Sequence, residues 1–203
     1  MSRATIIATV IGLTLLVGGI FIYKEWQSRQ EFGEIDQKGN GNIITPKDYT
    51  EYKNGQAGFS FFYPKTWGIE GARYGDGGDF YLTLSSPDIK EEELGIGGTD
   101  VVKGAKVYIV FRDRGNKTLE QLYDVGLTAE LIDNGSVKPV EIQINSNRGV
   151  EYSLDYEGPP ILTVVFLLGP NKYVYASLGT EGDEKRHPDY STFKKILETI
   201  RVD

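Results

Sequence analysis

The chain has no cysteine, and its 203 residues include a single histidine, His187. Without cysteine there is no disulfide, no thiol nucleophile, no iron–sulfur cluster and no Cys-containing zinc site. One histidine also excludes metal motifs that need two. His187 stands in a charged turn before the last predicted helix, where we expect it to be exposed and not a general base. The metals left to this chain are those bound by carboxylate and carbonyl oxygens, calcium and magnesium.

The chain also lacks the motifs of common enzyme classes. It contains no G-x-S-x-G, no G-x-x-x-x-G-K-[ST] and no H-E-x-x-H pattern. The glycine cluster at Gly95, Gly97 and Gly98 precedes a predicted strand instead of opening a helix, so we interpret it as a loop. We therefore expect no enzymatic activity and no organic cofactor.

Basic residues are outnumbered by acidic ones, 22 against 29, which gives a net charge of −7. Nucleic acids and anionic lipid surfaces are bound by cationic surfaces. We therefore expect neither of them to be the partner of this chain.

One long uncharged stretch stands out near the start of the chain. Ala4–Tyr23 is twenty residues without a charge, and a helix of that length spans about 30 Å, the thickness of the hydrocarbon core of a bilayer. The stretch is too long for a signal peptide, and no small-x-small cleavage site follows it. We predict an uncleaved, single-pass anchor at residues 1–23, a polar linker at 24–47 and one domain at 48–203.

The predicted linker contains an incomplete calcium-binding motif. Asp36 and Asn40 stand at the first and fifth ligand positions of an EF-hand loop. Lys38 and Lys47 occupy the third and twelfth positions, where the motif needs oxygen ligands. A calcium-binding module that uses the Asp36–Asn42 loop is our alternative hypothesis. Calorimetry that detects no heat when the full chain is titrated with millimolar calcium would rule it out.

Two acidic segments further along offer other oxygen ligands. Asp76 and Asp79 flank two glycines, a spacing that fits either a plain turn or a weak oxygen-ligand site. Glu91, Glu92 and Glu93 lie in Pro87–Gly104, which we predict to be a long mobile loop because of its charge and its glycines. The predicted metal ligands are therefore Asp36, Asn40, Asp76 and Asp79, and calcium is the one cofactor under consideration.

Hydrophobic periodicity predicts an α+β domain, an antiparallel sheet flanked by helices. The predicted strands are Tyr49–Lys53, Gly58–Tyr63, Asp79–Ser85, Ala105–Arg112, Val140–Asn145, Gly149–Tyr156, Ile161–Leu168 and Tyr173–Leu178. Because Ile161–Leu168 is nearly all apolar, we expect it to be a central strand that is covered on both faces. One helix is predicted from Thr118, which has capping-box spacing to Gln121, to just before Asn134, and a second from Asp189.

Tyr49–Gly68 resembles the opening of the PsbP family, the extrinsic proteins of photosystem II and their bacterial relatives. Tyr63, Pro64 and Trp67 carry the match, and the closing segment YSTFKKILETI is similar to the end of that family. The resemblance covers residues 49–202 and implies an α/β/α sandwich. It also implies an exported domain without catalytic activity that serves as an assembly or binding module.

The predicted anchor departs from the photosynthetic members, so we do not expect a role in photosystem II itself. We expect instead a membrane-tethered, non-enzymatic module outside the cytoplasm, held in the cell membrane by its single span. Its partner would be a protein. Independently of the resemblance, Trp67 just after Pro64 is typical of a buried aromatic that covers the end of a sheet.

Overall fold

A computed structural model describes residues 47–93, 99–123, 127–133, 135–154 and 160–202. All of them except Lys47 belong to one compact unit, Asp48–Asp203. The predicted anchor and the predicted linker up to residue 46 lie outside the described residues. Within the described ranges, no helix is long and apolar enough to cross a bilayer.

Twelve strands and three α-helical segments make up the described part of the chain. In chain order the strands are β1 (Tyr49–Asn54), β2 (Phe59–Pro64), β3 (Gly68–Tyr74), β4 (Phe80–Ser85), β5 (Lys90–Glu93), β6 (Thr99–Lys103), β7 (Ala105–Asp113), β8 (Val140–Ile144), β9 (Asn147–Leu154), β10 (Ile161–Leu168), β11 (Lys172–Thr180) and β12 (Arg201–Val202). The helices are α1 (Leu119–Tyr123), α2 (Leu127–Asp133) and α3 (Asp189–Glu198), and Asp76–Gly78 forms a 3₁₀ turn.

Seven strands form one sheet in the order β3-β4-β7-β11-β10-β9-β8. Every neighbouring pair in it is antiparallel. Strands β1, β2 and β12 form a second, three-stranded sheet, and β5 pairs with β6 as a hairpin. The predicted antiparallel α+β architecture is therefore confirmed for the described domain.

The main apolar core lies on one face of the seven-stranded sheet, here named the first face. Alternate side chains of β4, β7, β10 and β11 point into it, and β2 and α3 cover it. Phe59 of β2 stacks on Phe111 of β7 with ring centroids 3.5 Å apart. Helix α3 adds Phe193, Ile196 and Leu197, which are all fully buried. Burying each side chain of this size contributes about 1.5–3 kcal/mol, so this layer dominates the stability of the domain.

The opposite face of the sheet, the second face, carries a smaller core. Leu119 and Leu122 of α1 pack there against Val150, Tyr152, Val165 and Tyr173 of the sheet. Strand β10 is buried on both sides, since Val164 points to the first face and Val165 to the second and neither is exposed. This confirms the central, doubly covered position predicted for Ile161–Leu168.

The capping box predicted at the first helix is present. The Thr118 backbone N–H donates to Gln121 Oε1 at 2.9 Å, and the Gln121 N–H donates back to Thr118 Oγ1 at 3.4 Å. The range predicted as one helix is occupied by α1 and α2, and residues 124–126 between them lie outside the described residues. The helix predicted from Asp189 is confirmed as α3.

The prediction of a long mobile loop over Pro87–Gly104 is wrong for its described residues. Strands β5 and β6 pair there as a hairpin, and Thr99 Oγ1 donates to Glu91 Oε1 across it at 2.8 Å. The hairpin joins β7 at Gly104, whose φ of +78° and close approach to Ser86 exclude a side chain. The hairpin was not predicted because the three consecutive glutamates of β5 are not typical of a strand.

Strands β3 and β12 were also missed. Strand β3 contains two glycines and is mostly exposed, so it has no apolar alternation, and β12 has only two residues. Both are held by the strand they pair with, β3 by β4 and β12 by β2. Tertiary pairing of this kind leaves little trace in local sequence.

Trp67 is buried as predicted, with 7% of its surface exposed, and it belongs to the first-face core. Its backbone N–H donates to the Pro64 carbonyl at 3.0 Å, which closes the turn after β2. The indole is therefore part of the core next to the turn that follows β2.

We expect Trp67→Ala to destabilise the domain by about 3–5 kcal/mol, the usual cost of truncating a core aromatic. That is a large part of the roughly 5–15 kcal/mol available to a domain. Urea unfolding measures the loss, and Trp67→Phe, which keeps a ring in the core, should lose less. An unchanged melting temperature for Trp67→Ala would show that the indole is not part of the core.

Candidate functional site

The second face of the seven-stranded sheet is covered unevenly. Helix α1 lies over β10, on the side of the sheet towards β9. The β5–β6 hairpin lies over one end of β11, where Cγ2 of Val101 is 3.7 Å from the position of a Cβ on Gly179. In the described part of the chain, no helix packs extensively on β3, β4 or β7 over this face. The half of the sheet formed by these three strands is therefore open.

The open half forms a trough of about 540 Å³. Strand pairing sets its floor, because Tyr81 of β4 lies opposite Val110 of β7, and Thr83 lies opposite Tyr108. Tyr108 is 41% exposed, although it sits in the middle of a sheet. The side chains that line the trough are Glu70, Arg73, Tyr81, Thr83, Lys106, Tyr108 and Val110.

Lys106 is the charged group at the hairpin end of the trough. Its Nζ lies 2.7 Å from Glu91 Oε2, 3.0 Å from Glu70 Oε2 and 5.7 Å from the ring centroid of Tyr108. Burial alone would lower the pKa of Lys106, but the hydrogen bonds to the two glutamates raise it well above the ordinary value. Its ammonium group stays charged, so it is unsuited to act as a nucleophile, which needs the neutral amine.

The tyrosine in the centre keeps its proton as well. Burial raises the pKa of Tyr108, and the neighbouring Lys106 offsets part of that rise. Its hydroxyl is therefore available as a hydrogen-bond donor at neutral pH. Together with the ring, the hydroxyl gives this position both an apolar surface and a polar group.

A second charged pair lies beside Tyr81, just outside the lining of the trough. Arg112 Nε is 2.8 Å from Asp79 Oδ2, and the Tyr81 hydroxyl donates to the same carboxylate oxygen at 3.3 Å. Arg73 on β3 lies opposite Tyr81 and is exposed. Among the described residues, no carboxylate is within ion-pair distance of Arg73. Within the described ranges, the trough therefore has one cation without an acidic partner.

Another ion-pair cluster lies on the first face, where β9 meets α3. The Glu151 carboxylate is 3.0 Å from Lys185 Nζ and 3.2 Å from Lys194 Nζ, and it accepts a hydrogen bond from the Tyr190 hydroxyl at 3.2 Å. Burial would raise the pKa of Glu151, but the hydrogen bond from Lys185 and the charge of Lys194 lower it below its usual range. Burial and the Glu151 charge raise the pKa of Tyr190 to about 12. All these groups are paired, so the cluster attaches α3 to the sheet.

The structure describes only part of the predicted set of metal ligands. Asp36 and Asn40 lie outside the described residues, and their calcium site stays a prediction. Asp76 starts the 3₁₀ turn, and Asp79 directs its carboxylate to Arg112. Within the described ranges, no group of three histidine or acidic side chains is arranged to hold a metal ion.

The prediction of an exposed His187 is wrong. Only 11% of its side chain is exposed, and Nδ1 accepts the Asp189 backbone N–H at 3.2 Å. The imidazole satisfies a free backbone donor at the start of α3, as polar side chains at helix N-termini commonly do. This accounts for the low exposure of the His187 side chain without any catalytic role.

No sequence motif marks Lys106, Tyr108 or Arg73 as site residues. The alternation of apolar residues predicted that Val107, Ile109 and Phe111 lie on the buried face of β7, and the structure confirms this prediction. The residues that alternate with them on β7 include Lys106 and Tyr108. A lysine and a tyrosine on the other face of a central strand predict that part of that face is open to solvent. That signal needs the strand order, which the local pattern does not supply.

The described domain is an antiparallel α+β fold with a layered core and one sheet face that is open over half of its strands. No protein-family model and no curated protein sequence matches the chain. The chain is similar in fold to the solution structure of cyanobacterial PsbP from Synechocystis, with 15% sequence identity, a TM-score of 0.47 and coverage of 82% of this chain and 99% of that one. PsbP is the family whose motif the sequence resembles at Tyr63, Pro64 and Trp67.

A crystal structure from Bacteroides thetaiotaomicron is also similar. It shares 16% identity with a TM-score of 0.43, over 77% of this chain and 49% of that one. This chain therefore spans about half the length of the Bacteroides protein. Both similarities are of fold alone, so any function must be argued from the side chains.

We expect the hairpin to be held to the sheet by the contact between Glu91 and Lys106. The hydrogen bond from Lys106 lowers the pKa of Glu91, so its stabilising contribution is present above the unfolded pKa of about 4.3 and is lost as the pH falls through the folded value. Glu91→Gln should cost about 1–3 kcal/mol at neutral pH, the range for a hydrogen bond to a charged group. The difference from wild type should shrink in acid.

Urea unfolding and amide exchange of β5 and β6, each at neutral and acid pH, measure this effect. The matched control is Glu92→Gln, since Glu92 is an exposed neighbour on the same strand. Equal losses for the two variants, or a difference from wild type that does not change with pH, would show that the hairpin is held by other contacts.

Proposed function

We propose that this chain is a membrane-tethered, non-enzymatic binding module that holds a protein partner in its trough. The observation that carries the proposal is the exposure of Tyr108 on a central strand of the sheet. The partner segment would lie across β3, β4 and β7. The tether is the predicted span at residues 1–23, and the domain is proposed to face outside the cytoplasm.

The residue types of the trough favour a protein partner. Tyrosine and arginine are enriched in interfaces and at binding hot spots, and a tyrosine loses little conformational entropy when it is buried. Tyr81, Tyr108 and Arg73 lie on paired strands, so their backbone positions are fixed before the partner arrives. Preorganisation of this kind raises affinity because less ordering has to accompany binding.

The ion pairs around the trough indicate which chemical groups the partner would place against it. Lys106 is already neutralised by two glutamates, and Arg112 by Asp79. Arg73 lacks a carboxylate partner among the described residues. We therefore propose that the partner places a carboxylate against Arg73 and an apolar side chain on the ring of Tyr108, since a buried cation needs an opposite charge.

The same side chains argue against catalysis. The lysine in the trough is held in its charged form, and the tyrosine keeps its proton. His187, the one histidine of the chain, is occupied at the start of α3. Within the described residues the trough therefore has no general base next to a nucleophile, the arrangement that covalent catalysis requires.

We expect Tyr108→Ser to weaken partner binding by about 2 kcal/mol or more, roughly 30-fold in affinity, as for an aromatic hot spot. The free energy of unfolding should fall by no more than about 2 kcal/mol, because the ring is only partly buried, and the domain should stay folded. The measurement is recovery of the complex from detergent-solubilised native membranes with the tagged full chain. Tyr108→Phe should retain the partner, because it keeps the ring.

The matched control for this experiment is Val202→Ser, which changes an exposed residue of similar accessibility on the three-stranded sheet. It should recover the same complex as wild type. A Tyr108→Ser chain that still recovers the complex in full would place the binding surface elsewhere.

The tether and the location are tested by protease treatment of intact spheroplasts that produce the full chain. We expect added protease to remove the domain at 48–203 and to leave a short membrane-bound fragment. The control is a cytoplasmic protein, which should be degraded only after lysis. Protection of the domain until lysis would contradict a location outside the cytoplasm.

A further inference from the structure

The two edges of the seven-stranded sheet differ. At one edge, the pairing of β3 with β4 shifts register between Ile69 and Gly71, a bulge of the kind that disfavours pairing with a further strand. At the other edge, all five residues of β8 pair with β9 without a shift. The β8 edge is therefore the regular one.

Of the residues that commonly protect a sheet edge, strand β8 has only one, the charged Glu141. Its sequence, VEIQI, has no proline and no lysine, and Pro139 stands just before the first paired residue. Val140 is 53% exposed. In the described part of the chain, no strand pairs with the outer side of β8. An edge of this kind is a template for another strand.

We propose that the occupant of this edge is a second copy of the same chain, paired antiparallel through β8 about a twofold axis at Ile142. Each Ile142 would lie opposite Ile142 of the second copy, and Val140 would lie opposite Ile144. The two seven-stranded sheets would then form one continuous sheet. The contact is isologous, as in most homodimers.

The charge pattern of β8 selects a second copy and this register. With the axis at Ile142, Glu141 lies opposite Gln143, and a carboxylate can accept hydrogen bonds from an amide. An axis at Glu141 would place two carboxylates opposite each other, which is destabilising. An axis at Gln143 would leave Val140 without an opposite residue within the strand.

The apolar pattern supports the same register. Ile144 is buried in the first-face core and Ile142 packs against it, so Val140, Ile142 and Ile144 share that face of the strand. Pairing about Ile142 places the exposed Val140 beside Ile144 of the second copy and extends the apolar row across the axis. A single strand pair buries less area than a standard interface, so the dimer is weak and depends on concentration.

The absence of cysteine in the chain gives a clean test by disulfide cross-linking. Residues directly opposite in antiparallel strands have Cα atoms about 4.5–5.5 Å apart, which is within the range of a disulfide. The full chain carrying Ile142→Cys, treated with a mild oxidant, should form several-fold more covalent dimer than Ala72→Cys, an exposed position on the opposite edge strand. Equal yields from the two variants would overturn the proposal.

The register is tested by mixing two variants of the full chain. A chain with Glu141→Cys and a chain with Gln143→Cys should cross-link to each other several-fold better than either does alone. Preferential cross-linking of Glu141→Cys to itself would overturn the axis at Ile142.

The third measurement is sedimentation of the full chain without cysteine substitutions. The wild-type chain should show a concentration-dependent dimer, and Val140→Lys should weaken it at least about tenfold, because the charge enters the interface twice. The melting temperature of Val140→Lys should stay near that of wild type, since Val140 is exposed. A wild-type chain that remains monomeric over the whole concentration range, with no dimer from Ile142→Cys, would exclude a second copy as the occupant.

Discussion

The fold depends on the burial of the first face of the seven-stranded sheet. The stacked pair of Phe59 and Phe111 joins the three-stranded sheet to the large one, and α3 closes the same layer with Phe193 and Ile196. These side chains are fully or almost fully buried, so their transfer from water is the main favourable term. The positions of β7, β10 and β11 follow from this layer, because each contributes alternate side chains to it.

The second face has less to bury, and this difference creates the candidate site. Helix α1 and the β5–β6 hairpin cover parts of it, while the half over β3, β4 and β7 stays open. Ion pairs at Lys106 and Arg112 keep the charges at both ends of that half neutralised and in place. The result is a rigid, tyrosine-lined surface. A surface of this kind suits recognition better than chemistry, because its groups are preorganised but none is activated.

The sequence predicted those parts of the fold whose local pattern agrees with their environment. The alternation of Val107, Ile109 and Phe111 and the apolar run at Ile161–Leu168 define central strands, and Thr118 with Gln121 marks a helix start. Strand β3 and the β5–β6 hairpin were not predicted, because β3 contains glycines and β5 contains charged residues, and neither is typical of a strand. They form because β4 and Lys106 hold them, and contacts of that kind are distant in sequence.

The candidate site was less predictable than the fold for the same reason. Motifs are recognised in residues that are close in sequence, such as Asp76 and Asp79. In the structure, the carboxylate of Asp79 pairs with Arg112. The trough combines residues from β3, β4 and β7, and it becomes visible only when the strand order is known. Its central residue, Tyr108, has no motif around it. What identifies it is its exposure in the middle of a sheet.

The central claim is that the open half of the second face is the surface that the partner covers. Hydroxyl-radical footprinting of the full chain measures this directly, by comparing oxidation of Tyr108 in native membranes with that in the purified chain. We expect Tyr108 to be oxidised several-fold more slowly in native membranes, while Tyr74, which is equally exposed on the edge strand, reacts at the same rate in both. Equal oxidation of Tyr108 in the two preparations would contradict the account.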